Sequence, residues 1–205
     1  MPAGTGPGGG SGSARAGSES DPHDLTRAAV GCALMAVSAW TTVPVGPVPF
    51  TLQTMAASFL VCVLSGRQAL LTMVVYVVIG ALGMPVFSGM RGGIGVLFGP
   101  TGGFILALIP AVLLAKAIMG AGGEERADAK SLALQAIACA ALVAVMYALG
   151  WLWLMVSMDL SPAAAFAAGC APFILPDCVK VAAGIALARA VVAVAPSIVR
   201  WNPEG

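Results

Sequence analysis

Two charges stand where charges are rare. Asp177 and Lys180 lie inside the apolar stretch Phe173-Ile-Leu-Pro-Asp-Cys-Val-Lys-Val-Ala-Ala-Gly-Ile-Ala-Leu-Ala188, and at i and i+3 they share one face of a helix. Burying either in lipid is costly, so an intramembrane charge is by default a group that meets a ligand, an ion or a proton. Two chemistries fit the pair: ligand recognition, with the carboxylate accepting and the ammonium donating, or a mutual ion pair that only makes both charges tolerable. Catalysis would require a second carboxylate, a metal cluster or an activated nucleophile beside Asp177. None is visible, because the single histidine, His23, lies near the N-terminus and no second acid falls inside an apolar run. Cys32, Cys62, Cys139, Cys170 and Cys178 show no CxxC spacing and read as small buried hydrophobes, with no disulfide framework. No metal and no cofactor is expected.

The elements that must position the pair follow from composition. Hydrophobic residues make up 59% of the chain and charged residues 9%, with a mean hydropathy of +0.96, whereas soluble domains carry roughly 25% charged residues. The sequence therefore reads as an integral membrane protein. A formal net charge of +1 gives no basis for nucleic-acid binding. Residues 1–24 are rich in Gly, Ser, Ala and Pro and read as a disordered cytoplasmic tail, leaving 25–205 as a single membrane domain. Six apolar runs predict spanning helices at about 25–43, 51–64, 69–82, 101–119, 131–156 and 172–195. The expected fold is an all-α six-helix membrane bundle with both termini on one side.

Charge placement names that side. With cytoplasmic termini, Arg15, Arg27, Arg67, Lys116, Arg126, Lys130, Arg189 and Arg200 fall on the inner face, and only Arg91 and Lys180 do not, as the positive-inside rule requires. The acids sort alike: Asp159 and Asp177 alone escape the inner face, and Asp159 reads as a solvated loop charge. Trp40, Trp151 and Trp153 then fall near outer helix ends and Trp201 near the inner end, as interfacial anchors; Trp151 and Trp153 are also placed to stack on a ligand.

Arg91, Asp177 and Lys180 thus converge with two Gly/Pro-rich segments, 43–53 and 83–103. Irregular backbone at membrane depth survives only where protein or a watery cavity satisfies it, so these segments read as re-entrant or lid-like loops around a pocket, the alternative being ordinary surface loops. Gly99-Pro-Thr-Gly-Gly103 lacks the GxxxxGK[ST] pattern of a nucleotide loop. Thr101 and Gly102 instead open the fourth helix, which reads as packed closely against a neighbour with its free N–H groups pointed at an anion or a carbonyl.

Four ordered motifs carry a resemblance. Val48-Pro-Phe-Thr-Leu-Gln-Thr54, Tyr76 through Gly80-Ala-Leu-Gly-Met-Pro-Val-Phe87, Gly99-Pro-Thr-Gly-Gly-Phe104 and Pro172-Phe-Ile-Leu-Pro-Asp-Cys-Val-Lys180 resemble the BioY family, the biotin-specific substrate-binding (S) components of energy-coupling factor (ECF) vitamin transporters. The resemblance covers roughly Arg27 to Ala195. It implies a multi-pass protein of the bacterial cytoplasmic membrane that binds biotin from outside and works with a transmembrane coupling subunit and two cytoplasmic ATPases. One departure is visible: the family usually reads Pro-Gly-Asp before the lysine, and here Leu175-Pro-Asp177 moves the proline, which implies a different local kink.

By that resemblance Asp177 accepts from the ureido N–H groups, and Lys180 donates to the ureido carbonyl or the carboxylate. Arg91 is a second candidate for the carboxylate, with a solvated loop charge as its alternative. Thr51 and Gln53 supply polarity to the lid, and Tyr76 and Phe87 supply apolar walls unless they serve as core. In the first helix Ala28, Ala29, Gly31, Cys32, Ala33 and Ala36 form a small-residue face that permits close helix approach. The resemblance implies that Ala29, Ala33 and Ala36 dock the coupling subunit; packing within the bundle is the competing use. No Walker motif is present, so ATP hydrolysis is expected from other chains and this chain is not an enzyme. An S component for another small vitamin, or a proton-coupled secondary transporter, remains an alternative.

Overall fold

The computed structural model describes residues 22–121 and 129–195. Expectations for residues 1–21, for the charged loop 122–128 and for Trp201 lie outside the described residues. The fold is mostly helical. In chain order come α1 (Pro22–Trp40), a two-stranded hairpin of β1 (Thr42–Val43) and β2 (Phe50–Thr51), α2 (Gln53–Val63), α3 (Gly66–Ala81) and α4 (Ile94–Phe98). There follow α5 (Gly102–Ala121), α6 (Ala129–Met158), α7 (Pro162–Gly169), a 3-10 turn (Ala171–Phe173) and α8 (Ile174–Val194). Each of the six apolar runs is helical. Two of these helices, at Gly102–Gly120 and Ser131–Met158, are long and apolar enough to cross a membrane.

Local chemistry sets the boundaries. α1 stops at Trp40 rather than Val43, because Pro44, Pro47 and Pro49 cannot continue a helix; the chain instead pairs Thr42 with Thr51 and Val43 with Phe50 in antiparallel register. At the other end α1 begins at Pro22, so Asp24 belongs to the helix and not to a disordered tail. Its carboxylate accepts a 2.7 Å hydrogen bond from Gln68 Nε2 and lies 3.7 Å from Arg67. α3 opens with a capping box: Ser65 Oγ accepts from the Gln68 N–H, and Gln68 Oε1 accepts from the Ser65 N–H. α7 is capped by Ser161 with a proline at its start.

The core is built from Met35, Leu60, Met73, Tyr76, Phe87, Leu108, Val112 and Leu142, contributed by α1, α2, α3, α5, α6 and the loop before α4. Helices approach where side chains are small. A Cβ on Gly184 of α8 would lie 2.7 Å from the Met55 carbonyl oxygen of α2, so only glycine lets these helices pack so closely. That packing seats α8, and with it Asp177 and Lys180, against α2.

Candidate ligand-binding site

Asp177 sits in the first turn of α8, where a carboxylate is favoured by the helix dipole. Pro176 precedes it within the same turn, a position whose N–H has no intrahelical partner, so the displaced proline is accommodated without a lost hydrogen bond. One turn on, Lys180 Nζ donates to Asp177 Oδ1 at 2.8 Å, and each residue is only 6% exposed. The two charges neutralise one another, which is what makes their burial bearable.

Two further contacts hold the pair. Tyr147 of α6 donates its hydroxyl to Asp177 Oδ2 at 2.6 Å. Lys180 Nζ lies 3.6 Å from the centroid of the Phe50 ring on β2, a cation–π contact. The pair opens into a cleft enclosing about 710 Å³ of space, its open mouth included.

The walls come from the hairpin, α2, the segment between α3 and α5, and the helices α5 to α8. The hairpin supplies Val48, Pro49 and Thr51, and α2 supplies Gln53 and Thr54. Ser88, Arg91 and Val96 line the cleft from the segment between α3 and α5; Thr101, Phe104, Ile105 and Leu108 line it from the start of α5. Met146 and Tyr147 of α6 and Phe173 beside α8 complete an apolar surround. The chemistry is that of a half-polar ligand: one buried acceptor and donor, an aromatic and aliphatic wall, and a cation nearer solvent.

Of the residues singled out in the sequence, Asp177, Lys180, Arg91, Thr51, Gln53 and Thr101 meet at this cleft. Arg91 is exposed, held by a 3.1 Å hydrogen bond from Nε to the Ser88 carbonyl and by the bridge that pairs Phe87 with Arg91. Tyr76 and Phe87 are not in the wall. They are fully buried and packed edge to face at 5.5 Å. Their role is indirect: Thr51 donates to Gln53 Oε1, Gln53 Nε2 to Tyr76 Oη at 2.9 Å, and Tyr76 to the Val86 carbonyl at 3.0 Å. A chain of donors thus fixes the polar edge of the cleft to the α3–α4 segment.

Gly102 packs closely at the start of its helix, as expected, but its N–H is not free. Its N–H donates to the Gly99 carbonyl at 3.0 Å, and a Cβ there would lie 1.6 Å from the Leu97 carbonyl oxygen, so the glycine serves close backbone packing of α4 on α5. Ala29 and Ala33 are exposed on α1, together with Val30, Leu34 and Val37. Ala36, seven residues on from Ala29, lies at the edge of that face, and it is buried in the core on the side of Cys32. The tryptophans tie loops to helices: Trp40 Nε1 donates to the Pro85 carbonyl at 2.7 Å, Trp151 to Pro162 at 2.9 Å and Trp153 to Gly99 at 3.0 Å. None of them lines the cleft.

Tyr147 and Phe50 escaped sequence reasoning. The signal for Tyr147 was present: the chain has two tyrosines, and a phenol inside a long apolar helix needs a partner for its hydroxyl.

The BioY family model matches residues 14–197. The chain belongs to the BioY family. It is similar to a probable biotin transporter BioY of Pyrococcus horikoshii, 36% identical over 167 residues that make up 81% of this chain and 94% of that one. It is likewise similar to biotin transporter BioY of Thermotoga maritima, at 36% identity with 80% and 94% covered, and to BioY2 of Lactococcus lactis, at 34% with 82% and 91% covered. Its fold matches the crystal structure of the S-component for biotin from an ECF-type ABC transporter, with a TM-score of 0.73 at 20% identity over 83% of this chain and 90% of that one. These relatives are biotin transporters by name, which implies a membrane protein, in keeping with the two helices among the described residues that are long and apolar enough to cross a membrane.

Proposed function

We propose that this BioY protein binds biotin in the cleft and carries it across the bacterial cytoplasmic membrane as the substrate-binding S component of an ECF transporter. The observation that carries the reading is the buried Asp177–Lys180 pair at the head of a cleft with apolar walls. Biotin presents two ureido N–H donors, a ureido carbonyl, a thioether ring and a carboxylate on an aliphatic tail, and the cleft holds a complement to each. Asp177 accepts from one ureido N–H group and Lys180 donates to the neighbouring ureido carbonyl. Phe104, Phe173 and Leu108 cover the ring and tail, with Thr51, Gln53 and Thr101 along the edge. Arg91 meets the carboxylate at the mouth.

In this reading α1, α2, α3, α5, α6 and α8 all cross the membrane, residues 25–205 form the membrane domain, and both termini face the cytoplasm. The basic residues concentrate on that side. α2 has 11 residues, short of the roughly 20 of a full span, and the hairpin before it makes up part of the depth. The chain supplies recognition; a coupling subunit and two ATPases supply work, with Ala29 and Ala33 of α1 as the docking surface. Isothermal titration of biotin into the purified protein is the direct test. One site per chain is expected, with riboflavin and thiamine failing to compete; a folded sample that binds no biotin would overturn the reading.

A further inference from the structure

We infer that Tyr147 is a positioning residue for ligand recognition, one that acts through Asp177 by fixing the plane of its carboxylate. The inference rests on the reading of the cleft as a biotin site. Lys180 comes from the same helix as Asp177, at i+3, and holds Oδ1 alone. A carboxylate pinned at one oxygen still turns about its Cβ–Cγ bond, a broad two-fold torsion. Tyr147 arrives from a different helix, α6, and takes Oδ2 at 2.6 Å, a charge-assisted O–H···O⁻ bond of the short, strong kind. With both oxygens held, the carboxylate plane is set.

A carboxylate offers about four lone-pair sites, and Tyr147 and Lys180 occupy one on each oxygen. The two N–H groups of a cyclic urea diverge to either side of its carbonyl, so one of them meets the carboxylate, and a fixed carboxylate plane aims a free lone pair at that N–H. Tyr147 and Asp177 both line the cleft, so the held carboxylate borders the ligand space. Asp177 thereby meets its ligand pre-oriented, which lowers the ordering cost of binding.

The test compares wild type with Tyr147→Phe, which removes one oxygen atom and keeps the ring. Biotin affinity is measured by titration calorimetry, and the carboxylate stretches of the ligand-free protein are recorded by infrared spectroscopy with ¹³C-labelled aspartate. The expected result is an affinity loss of about tenfold, as for a lost hydrogen bond to a charged group, together with a shift of a labelled carboxylate band that is missing from Asp177→Asn. Unchanged affinity, or weakened affinity with an unshifted band, overturns the inference while leaving the biotin reading intact. Failure of the wild type to bind biotin overturns both. Should Tyr147→Phe not fold, 3-fluorotyrosine at position 147 keeps the shape and strengthens the donor; an unshifted band there is equally fatal.

Discussion

The ammonium of Lys180 lies 3.6 Å from the centroid of the Phe50 ring, so a residue of the hairpin covers a charge carried by the last helix. A cation over an aromatic face gains about 1–2 kcal/mol when water is excluded. Phe50→Leu keeps an apolar cover and removes the ring, and biotin should bind roughly five- to thirtyfold more weakly. Phe50→Tyr should bind as wild type. Titration calorimetry decides, and equal affinity in the leucine variant would remove Phe50 from the site.

The buried ion pair separates stability from recognition. Asp177→Ala strands the Lys180 ammonium in an apolar surround, and breaking a buried pair costs about 3–5 kcal/mol. Thermal unfolding should shift down by several degrees and biotin binding should vanish. The double variant Asp177→Leu with Lys180→Met removes both charges; it should regain most of the lost stability and none of the binding. A double variant that still binds biotin would mean the pair is only structural.

Arg91 is exposed at the mouth, far less desolvated than Asp177. Arg91→Gln should weaken biotin binding about tenfold, as for loss of a charge-assisted hydrogen bond, and should leave binding of biotin methyl ester unchanged. The ester has no carboxylate to lose. An equal loss for acid and ester, measured by competition against labelled biotin, would place the carboxylate elsewhere.

The two faces of α1 make opposite demands. Ala33 is exposed, so Ala33→Trp should leave biotin binding by the purified protein intact while abolishing uptake in cells that supply the coupling subunit and ATPases. Ala36 is buried, and overpacking there costs about 1–3 kcal/mol, so Ala36→Trp should lower the unfolding temperature instead. Normal uptake by the Ala33→Trp variant would show that this face is not the docking surface.

How much of this was legible depended on the kind of signal. The apolar runs located α1, α2, α3, α5, α6 and α8 to within a few residues, because Pro and Gly punctuate them, and the i,i+3 spacing of Asp177 and Lys180 survived into the structure unaltered. Which face of each helix points inward was not legible. α5 and α6 are apolar all round, and a helix in lipid needs no polar side, so periodicity carries no direction. That is why Tyr147 passed unnoticed and why Ala36 was grouped with Ala29 and Ala33. The hairpin was hidden for another reason: its strands are two residues each, too short for an alternating pattern, and the prolines between them spoke only of a break.

The closeness of the Asp177 and Lys180 charges, 2.8 Å apart, also has an electrical meaning. Together they contribute no net charge, and a biotin carboxylate opposite Arg91 adds none, so the loaded site is electroneutral. Moving one elementary charge through the membrane field costs about 2.3 kcal/mol per 100 mV; moving this site costs almost nothing. The empty site returns with the charge of Arg91 unpaired, so the test is a single turnover. Inward release from biotin-loaded protein in ATP-energised vesicles should proceed at the same rate whether the transmembrane voltage is clamped at zero or at a resting value, and a single-turnover rate that follows the voltage would show that a charge is left uncompensated in transit.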